Sequence, residues 1–153
     1  MQDNGNSIII SGFGVRLPKD VNTVYEVHNV LLKNVCQLSL LQDSKTHAFN
    51  KKDLSSVPPN AGIYENTDLF DNQFFGISNK IAQDMDPQHR FALECCMESI
   101  VDANLDLNFL QKLRTGVFVG AACSDSMDLQ FLNKDFITPY TMQGSTIGNI
   151  ANL

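Results

Sequence analysis

The chain has 153 residues, of which 43% are hydrophobic and 18% charged, a composition typical of one globular domain or part of one. Its 17 acidic and 11 basic residues give a net charge of −6, which disfavours nucleic acid or an anionic membrane as a partner. No apolar run approaches the roughly 20 residues that span a bilayer, and residues 1–6 lack the basic and apolar regions of a signal peptide. We therefore expect a cytoplasmic protein without a membrane span, and a flexible tail at residues 1–6.

The cysteines and histidines predict no metal site. Cys36, Cys95, Cys96 and Cys123 form no CxxC pair, and the three histidines have no partner at ligand spacing. Adjacent Cys95 and Cys96 do not suit disulfide geometry, which needs more widely separated Cα atoms. We expect buried, reduced thiols, as is usual for free cysteines.

The N-terminal region predicts a strand followed by a helix. The β-branched run 7–11 is closed by Gly12, which is typical of a strand buried on both faces. From Val24 to Leu32 the apolar residues recur at helical spacing, with Asn22 or Thr23 as the N-cap. A buried strand followed directly by a helix favours an α/β fold.

Gly12-Phe13-Gly14, directly after this strand, matches the beginning of a dinucleotide-binding fingerprint. The third glycine of that motif would stand at position 17, where the sequence has Leu17, and no acidic residue is placed on a following strand. We therefore interpret both glycines as structural turn residues.

The middle of the chain predicts two loops. Residues 42–60 are polar and contain Pro58 and Pro59, which exclude a helix interior and a central strand, so we expect a long loop. Residues 69–76 include three aromatic side chains, which is typical of an ordered loop anchored by apolar contacts.

Two capped helices follow these loops. Ser78 can cap a short helix that reaches Met85, and Asp86 before a proline is typical of an N-cap with proline at the first helical position. The second helix carries so many apolar residues that we expect much of it to be buried, and Asn104 predicts a left-handed C-cap. We expect Arg90 to make a bidentate ion pair.

A second buried strand is predicted at 117–120, followed by small residues up to Ser124. Cys123 in this position could be a nucleophile or a small residue that lines a pocket. A reactive thiolate needs a base or a positive field, and no sequence-adjacent His, Lys or Arg offers one, so we favour a lining role. Residues 145–153 predict the opening turns of a further helix.

Four motifs occur in a fixed order along nearly the whole chain. They are Ile9-Ile10-Ser11-Gly12 with Arg16-Leu17-Pro18, Phe70-Asp71 with Phe74-Phe75-Gly76-Ile77-Ser78, Met85-Asp86-Pro87-Gln88-His89-Arg90, and Arg114-Thr115-Gly116-Val117-Phe118-Val119-Gly120. Asp-Pro-Gln-x-Arg before a Leu-Glu helix is a hallmark of β-ketoacyl synthase domains. In order and content the four motifs resemble that family of fatty acid and polyketide synthases. The segment Tyr140-Thr141-Met142-Gln143-Gly144, running into Ala151-Asn152, resembles the animal-type fatty acid synthase branch more than the bacterial single-domain enzymes.

The resemblance implies a partial thiolase-like fold, the first part of an α/β/α/β/α layered sandwich, with residues 1–153 as one incomplete domain. Members of the family are homodimeric acyltransferases that condense an acyl chain with a malonyl unit. The resemblance therefore implies acyl carrier protein, other synthase domains and a second copy of the domain as partners. It implies no cofactor of the chain's own, because the substrates arrive as phosphopantetheine thioesters on the carrier.

The family nucleophile is a cysteine in a Thr-Ala-Cys-Ser-Ser motif, assisted by later histidines. By resemblance it would stand about 20 residues after Leu153, so we expect no catalytic residue in this chain. The candidates for acyl-pocket lining are Cys123, with Thr141 and Met142 contributing across the dimer. One departure is Leu153 itself, since the family usually has arginine after Ala-Asn.

Two functions remain open on the sequence. The chain is either a piece of a synthase condensing domain that is inactive alone, or a non-catalytic remnant that binds an acyl ligand or a synthase through an exposed surface. In both cases we expect poor solubility of the isolated chain, because a half-built sheet exposes strand edges and apolar faces.

Overall fold

The computed structural model describes residues 7–41, 58–124, 126 and 137–152. The chain divides into two compact units, Val15–Thr67 and Met1–Gly14 with Asp68–Leu153. The expected tail at residues 1–6 and most of the predicted long loop, residues 42–57, lie outside the described residues.

The smaller unit contains one helix and one short strand pair. Helix α1, Val24–Leu32, begins as predicted, with Thr23 and Glu26 forming a capping box in which each side chain accepts from the other residue's backbone N–H. Strand β1, Ser39–Leu40, pairs antiparallel with β2, Asn60–Ala61. The predicted loop therefore ends in a strand immediately after Pro59, whose carbonyl oxygen accepts from the N–H of Leu41 at 2.9 Å.

The described elements of the larger unit are helical. They are α2, Asn79–Asp84; α3, Pro87–Asp102; α4, Leu107–Leu110; α5, Thr141–Ser145; and a 3-10 helix, Ile147–Asn152. The predicted caps of α2 and α3 are confirmed, because Ser78 accepts from the N–H of Ile81 at 3.4 Å and Asp86 accepts from that of Gln88 at 2.8 Å. In place of one continuing helix, the end of the chain has α5, an extended Thr146 and then the 3-10 helix.

The predicted left-handed residue at the C-terminus of α3 is also confirmed. Asn104 has a φ of 53°, and its N–H donates to the carbonyl oxygen of Val101 at 2.9 Å. The N–H of Leu105 donates to Ile100 at 3.1 Å, which completes a Schellman motif. Asparagine tolerates the left-handed conformation that ends the helix here.

The aromatic loop is held together by its own rings. Phe70 and Phe75 stack with centroids 5.3 Å apart, and Phe74 meets Phe75 edge to face at 4.9 Å. Phe74 nevertheless remains 61% exposed, so the anchoring is less complete than predicted.

The two predicted buried strands are wrong for this structure. Residues 7–11 and 117–120 pair with no strand in the described part of the chain, and Ile8 and Phe118 are 99% and 95% exposed. A β-branched run is buried as a strand only when neighbouring strands and covering helices supply both faces.

Burial in the described ranges is limited. The only buried apolar residues there are Val21, Met85 and Ile150. Helix α3 buries His89 alone, and Val101 on it is 64% exposed, so the predicted burial of this helix is wrong. All four cysteines are free, as predicted, but the prediction that they are buried is wrong, because Cys36, Cys96 and Cys123 are exposed and Cys95 is half-buried.

Gly12 and Gly14 allow the segment that contains them to lie directly against the backbone of α3. A Cβ at Gly12 would collide with the carbonyl oxygen of Ser99, and one at Gly14 would collide with that of Cys95. The intervening Phe13 N–H donates to Asp102 at 3.0 Å. The structural interpretation of these glycines is therefore confirmed, and its physical basis is contact with a helix backbone.

Within the described ranges, no helix combines the length and apolar character that crossing a membrane would require.

Candidate functional site at the first turn of α3

Asp86 is the centre of a buried polar cluster at the start of α3. Its Oδ1 accepts from the N–H of Gln88 at 2.8 Å, and its Oδ2 accepts from the hydroxyl of Ser124 at 2.8 Å. Asp86 and Ser124 are both buried. One carboxylate thus caps the helix and fixes a residue 38 positions further along the chain.

Gln88 extends this attachment to the neighbouring residue. Its side-chain Nε2 donates to the carbonyl oxygen of Cys123 at 2.8 Å. Cys123 is therefore held through its backbone, while its thiol is exposed.

His89 reaches a second segment. It is 1% exposed, and its Nδ1 lies 2.5 Å from the carbonyl oxygen of Gly144. Because a carbonyl oxygen can only accept, the hydrogen-bond network assigns a hydrogen to Nδ1. The same oxygen accepts from the N–H of Asp86 at 2.9 Å, so two groups of the α3 turn hold one peptide of α5.

Gly144 and Thr138 bring α5 against the end of α2. A Cβ at Gly144 would stand 2.6 Å from the carbonyl oxygen of Asp84, so this position has no room for a side chain. The Thr138 hydroxyl donates to Asp84, and the Thr138 N–H donates to Oγ1 of Thr141 at 2.9 Å. Thr141 is fully buried, whereas Met142 next to it is 55% exposed.

Arg90 lies at the edge of this cluster. Its Nη2 donates to the carbonyl oxygen of Met85 at 2.8 Å. Burial lowers the pKa of Arg90, and the carboxylates of Asp68 and Asp86 act in the opposite direction. The bidentate ion pair expected for this side chain stays a prediction.

An open cavity of about 420 Å³ adjoins Arg90. Its lining consists mostly of polar side chains: Asp68, Phe70, Asn72, Asn79, Ala82, Gln83 and Arg90. None of the acyl-pocket candidates contributes to it.

The acyl-pocket candidates fall on two segments. Cys123 lies on the segment held by Asp86 and Gln88, and Thr141 and Met142 lie in the helix held by His89. The structure thus attaches both segments to one turn of α3, although it buries only Thr141 of the three.

Sequence reasoning missed the residues that make these attachments. Gln88, His89, Ser124 and Gly144 are joined across 35 to 55 positions, which no local pattern reveals. The available signal was the density of polar side chains directly after a helix cap in the string 85–90. No group of three potential metal ligands occurs among residues whose positions are described.

Comparison with known proteins identifies relatives of this sequence. The family model described as "Beta-ketoacyl synthase, N-terminal domain" matches residues 5–153. Polyketide synthase 37 of Dictyostelium discoideum is 31% identical over 147 residues, covering 95% of this chain and 5% of that protein. Reducing polyketide synthase BOA9 of Botryotinia fuckeliana is 34% identical over 152 residues, covering 95% of this chain and 7% of that protein.

A third relative is the cluster 41 polyketide synthase of Aspergillus flavus, which is 29% identical over 155 residues. That match covers 98% of this chain and 14% of the relative. The chain therefore spans only a small part of the curated relatives that it matches.

Proposed function

Because this chain belongs to the family of β-ketoacyl synthase N-terminal domains, we propose that it forms part of a condensing domain of a polyketide or fatty acid synthase. The family match over residues 5–153 is the observation that carries the proposal. The family has a thiolase-like α/β fold, of which the chain would supply the first part of the layered sandwich.

The proposed reaction of the complete domain is a decarboxylative condensation. An acyl group passes from the phosphopantetheine thiol of acyl carrier protein to a cysteine of the enzyme, and the carrier thiol leaves. A malonyl thioester then loses carbon dioxide, and the resulting enolate attacks the acyl carbonyl. A carbon–carbon bond forms, and the cysteine thiolate is released.

This chain would contribute scaffold and pocket wall to that reaction, and no catalytic residue. The sequence contains no Thr-Ala-Cys-Ser-Ser motif. The thiol of Cys123 is exposed, and neither of the two hydrogen bonds that attach residues 123 and 124 to the α3 turn involves a base acting on that thiol. We assign Cys123, Thr141 and Met142 to the wall that receives the acyl chain.

Exposed apolar segments support an incomplete domain. Residues 8–10 and 117–119 have the composition of buried strands, yet each of the six side chains is at least 45% exposed. Further strands and a second copy of the domain would cover such segments. Acyl carrier protein and the other synthase domains would be the remaining partners.

Acyl transfer tests the proposal. The product of the longest transcript that includes these 153 codons should take up a radiolabelled acyl group from an acyl thioester, and it should release carbon dioxide from malonyl carrier. The 153-residue chain alone should do neither. If the 153-residue chain is acylated and Cys123→Ala abolishes that acylation, the assignment of Cys123 to the pocket wall is overturned. A transcript product without either activity would favour a non-catalytic remnant.

A further inference from the structure

The first turn of α3 holds the two segments of the proposed pocket wall through their backbone oxygens. Gln88 binds the carbonyl oxygen of Cys123, and His89 with the Asp86 N–H binds the carbonyl oxygen of Gly144. These three bonds end on backbone oxygens. Because every residue carries a backbone carbonyl oxygen, such a bond can hold a residue in place whatever its side chain is.

Close packing and an internal hydrogen bond connect Gly144 with the other residues of α5. Gly144 fits against the carbonyl oxygen of Asp84 with no space for a Cβ. Within α5, the hydroxyl of Ser145 donates to the carbonyl oxygen of Thr141 at 2.6 Å, and both side chains are buried. A displacement of Gly144 would therefore be passed through a single helical turn to Thr141 and Met142.

The Cys123 segment is held at two successive residues. Ser124 is bound through its hydroxyl to Asp86, and Cys123 through its carbonyl oxygen to Gln88. Two bonds at adjacent residues restrain both the position and the direction of the segment. These bonds to the α3 turn therefore also restrain the direction of the exposed Cys123 side chain.

We infer that Asp86, Gln88 and His89 are positioning residues, which set the spacing between Cys123 and Met142 within one chain. In the dimer that spacing would place Cys123 on the wall of its own acyl pocket and Met142 on the wall of the partner's pocket. The inference rests on the proposed function, because only that function makes Cys123 and Met142 part of an acyl pocket. The distance between the two residues can be measured without any acyl ligand. In this arrangement, substitution of the lining side chains would change which acyl chain is preferred. The α3 turn would still hold the backbone of the pocket wall in place.

Dipolar electron paramagnetic resonance on the 153-residue chain tests the inference. Spin labels are attached to native Cys123 and to Met142→Cys, in a background with Cys36→Ser, Cys95→Ala and Cys96→Ser. Both labelled positions are exposed, as the labelling reaction requires. We expect one narrow distance distribution.

Matched variants identify the residues that maintain the spacing. Gln88→Glu has nearly the same shape but cannot donate to the Cys123 carbonyl oxygen. His89→Ala removes the side-chain donor to the Gly144 carbonyl oxygen and leaves only the Asp86 N–H. Both should broaden the distribution at least about twofold. His89→Asn should restore it in part, because the asparagine Nδ2 can occupy the place of Nδ1. Gln111→Glu makes the same change at an exposed site outside the cluster and should have no effect.

A broad distribution in the background chain would overturn the inference, as would equal widths for Gln88→Glu, His89→Ala and Gln111→Glu. Neither result depends on acyl binding, so failure of the positioning role is distinguishable from failure of the proposed function. A narrow distribution with the expected broadening would support the positioning role even if the chain binds no acyl group.

Discussion

The hydroxyl of Ser124 donates a 2.8 Å hydrogen bond to Oδ2 of Asp86, and both residues are buried. The same carboxylate caps α3, so a helix start and a distant segment share one acceptor group. A buried acceptor with two partners should contribute more to stability than an exposed cap.

Asp86→Ala should lower the free energy of unfolding by about 2 to 3 kcal/mol, because it removes the cap and leaves the Ser124 hydroxyl without this acceptor. The matched control is Asp106→Ala, which removes an exposed N-cap that accepts from the N–H of Asn108 at 3.0 Å. That control should cost about 1 kcal/mol. Urea unfolding at low protein concentration measures both, and equal costs would contradict a shared role for Asp86.

Gly12, which lies against α3, and Gly120, which has open space beside it, give a second comparison. Gly12→Ala places a methyl group against the carbonyl oxygen of Ser99, whereas Gly120→Ala meets no atom within 4 Å. We expect Gly12→Ala to destabilise the chain by about 1 to 3 kcal/mol, the usual cost of overpacking. Gly120→Ala should change stability by less than about 0.5 kcal/mol. If hydrogen exchange in α3 is the same for both variants, the close approach of residues 12–14 to this helix is wrong.

Glu26 should make α1 sensitive to acid. Hydrogen bonds from the N–H of Asn22, and from Thr23, lower the pKa of this carboxyl. A lowered pKa in the folded state gives stability that is present above the unfolded value of about 4.3, and that is lost as the pH falls through the lower folded value.

Helicity of α1, followed by hydrogen exchange as the pH is lowered from neutral to below the unfolded value of about 4.3, should therefore fall with acid. In Glu26→Gln the neutral amide keeps the capping geometry, so the pH dependence should flatten. A wild-type profile as flat as that of the variant would show that the charged form of Glu26 contributes nothing.

The exposed apolar segments predict aggregation of the isolated chain. Phe118 is 95% exposed, so Phe118→Glu should raise the concentration at which light scattering begins, with little loss of folding stability. Thr115→Glu adds the same charge at an exposed polar position and serves as the control. Equal effects of the two variants would assign the change to net charge rather than to the apolar surface.

Local chemistry made part of this structure predictable. The caps at Ser78 and Asp86 and the left-handed Asn104 follow from side-chain geometry within a few residues, and all three were predicted. For α1 the sequence left Asn22 and Thr23 as alternative caps, and the structure selects Thr23. The buried strands at 7–11 and 117–120 were wrong, because burial of a strand depends on partners that its own sequence does not contain. The family was predicted from four ordered motifs and is confirmed.

The candidate site was predicted only in outline. The string 85–90 was singled out, and its cap was assigned correctly. Its attachment to Cys123, Ser124 and Gly144 was not predicted, because hydrogen bonds across 35 to 55 positions depend on the folded path of the chain. The lining roles of Cys123, Thr141 and Met142 came from family resemblance and stay predictions.

The position of a bound acyl chain tests the central claim most directly. A thioester whose acyl tail carries a diazirine can be irradiated with the product of the longest transcript that includes this chain, and the crosslinked residues can be mapped by mass spectrometry. We predict crosslinks at Cys123, Thr141 or Met142. Crosslinks confined to other surfaces, such as the cavity beside Arg90, would contradict the account.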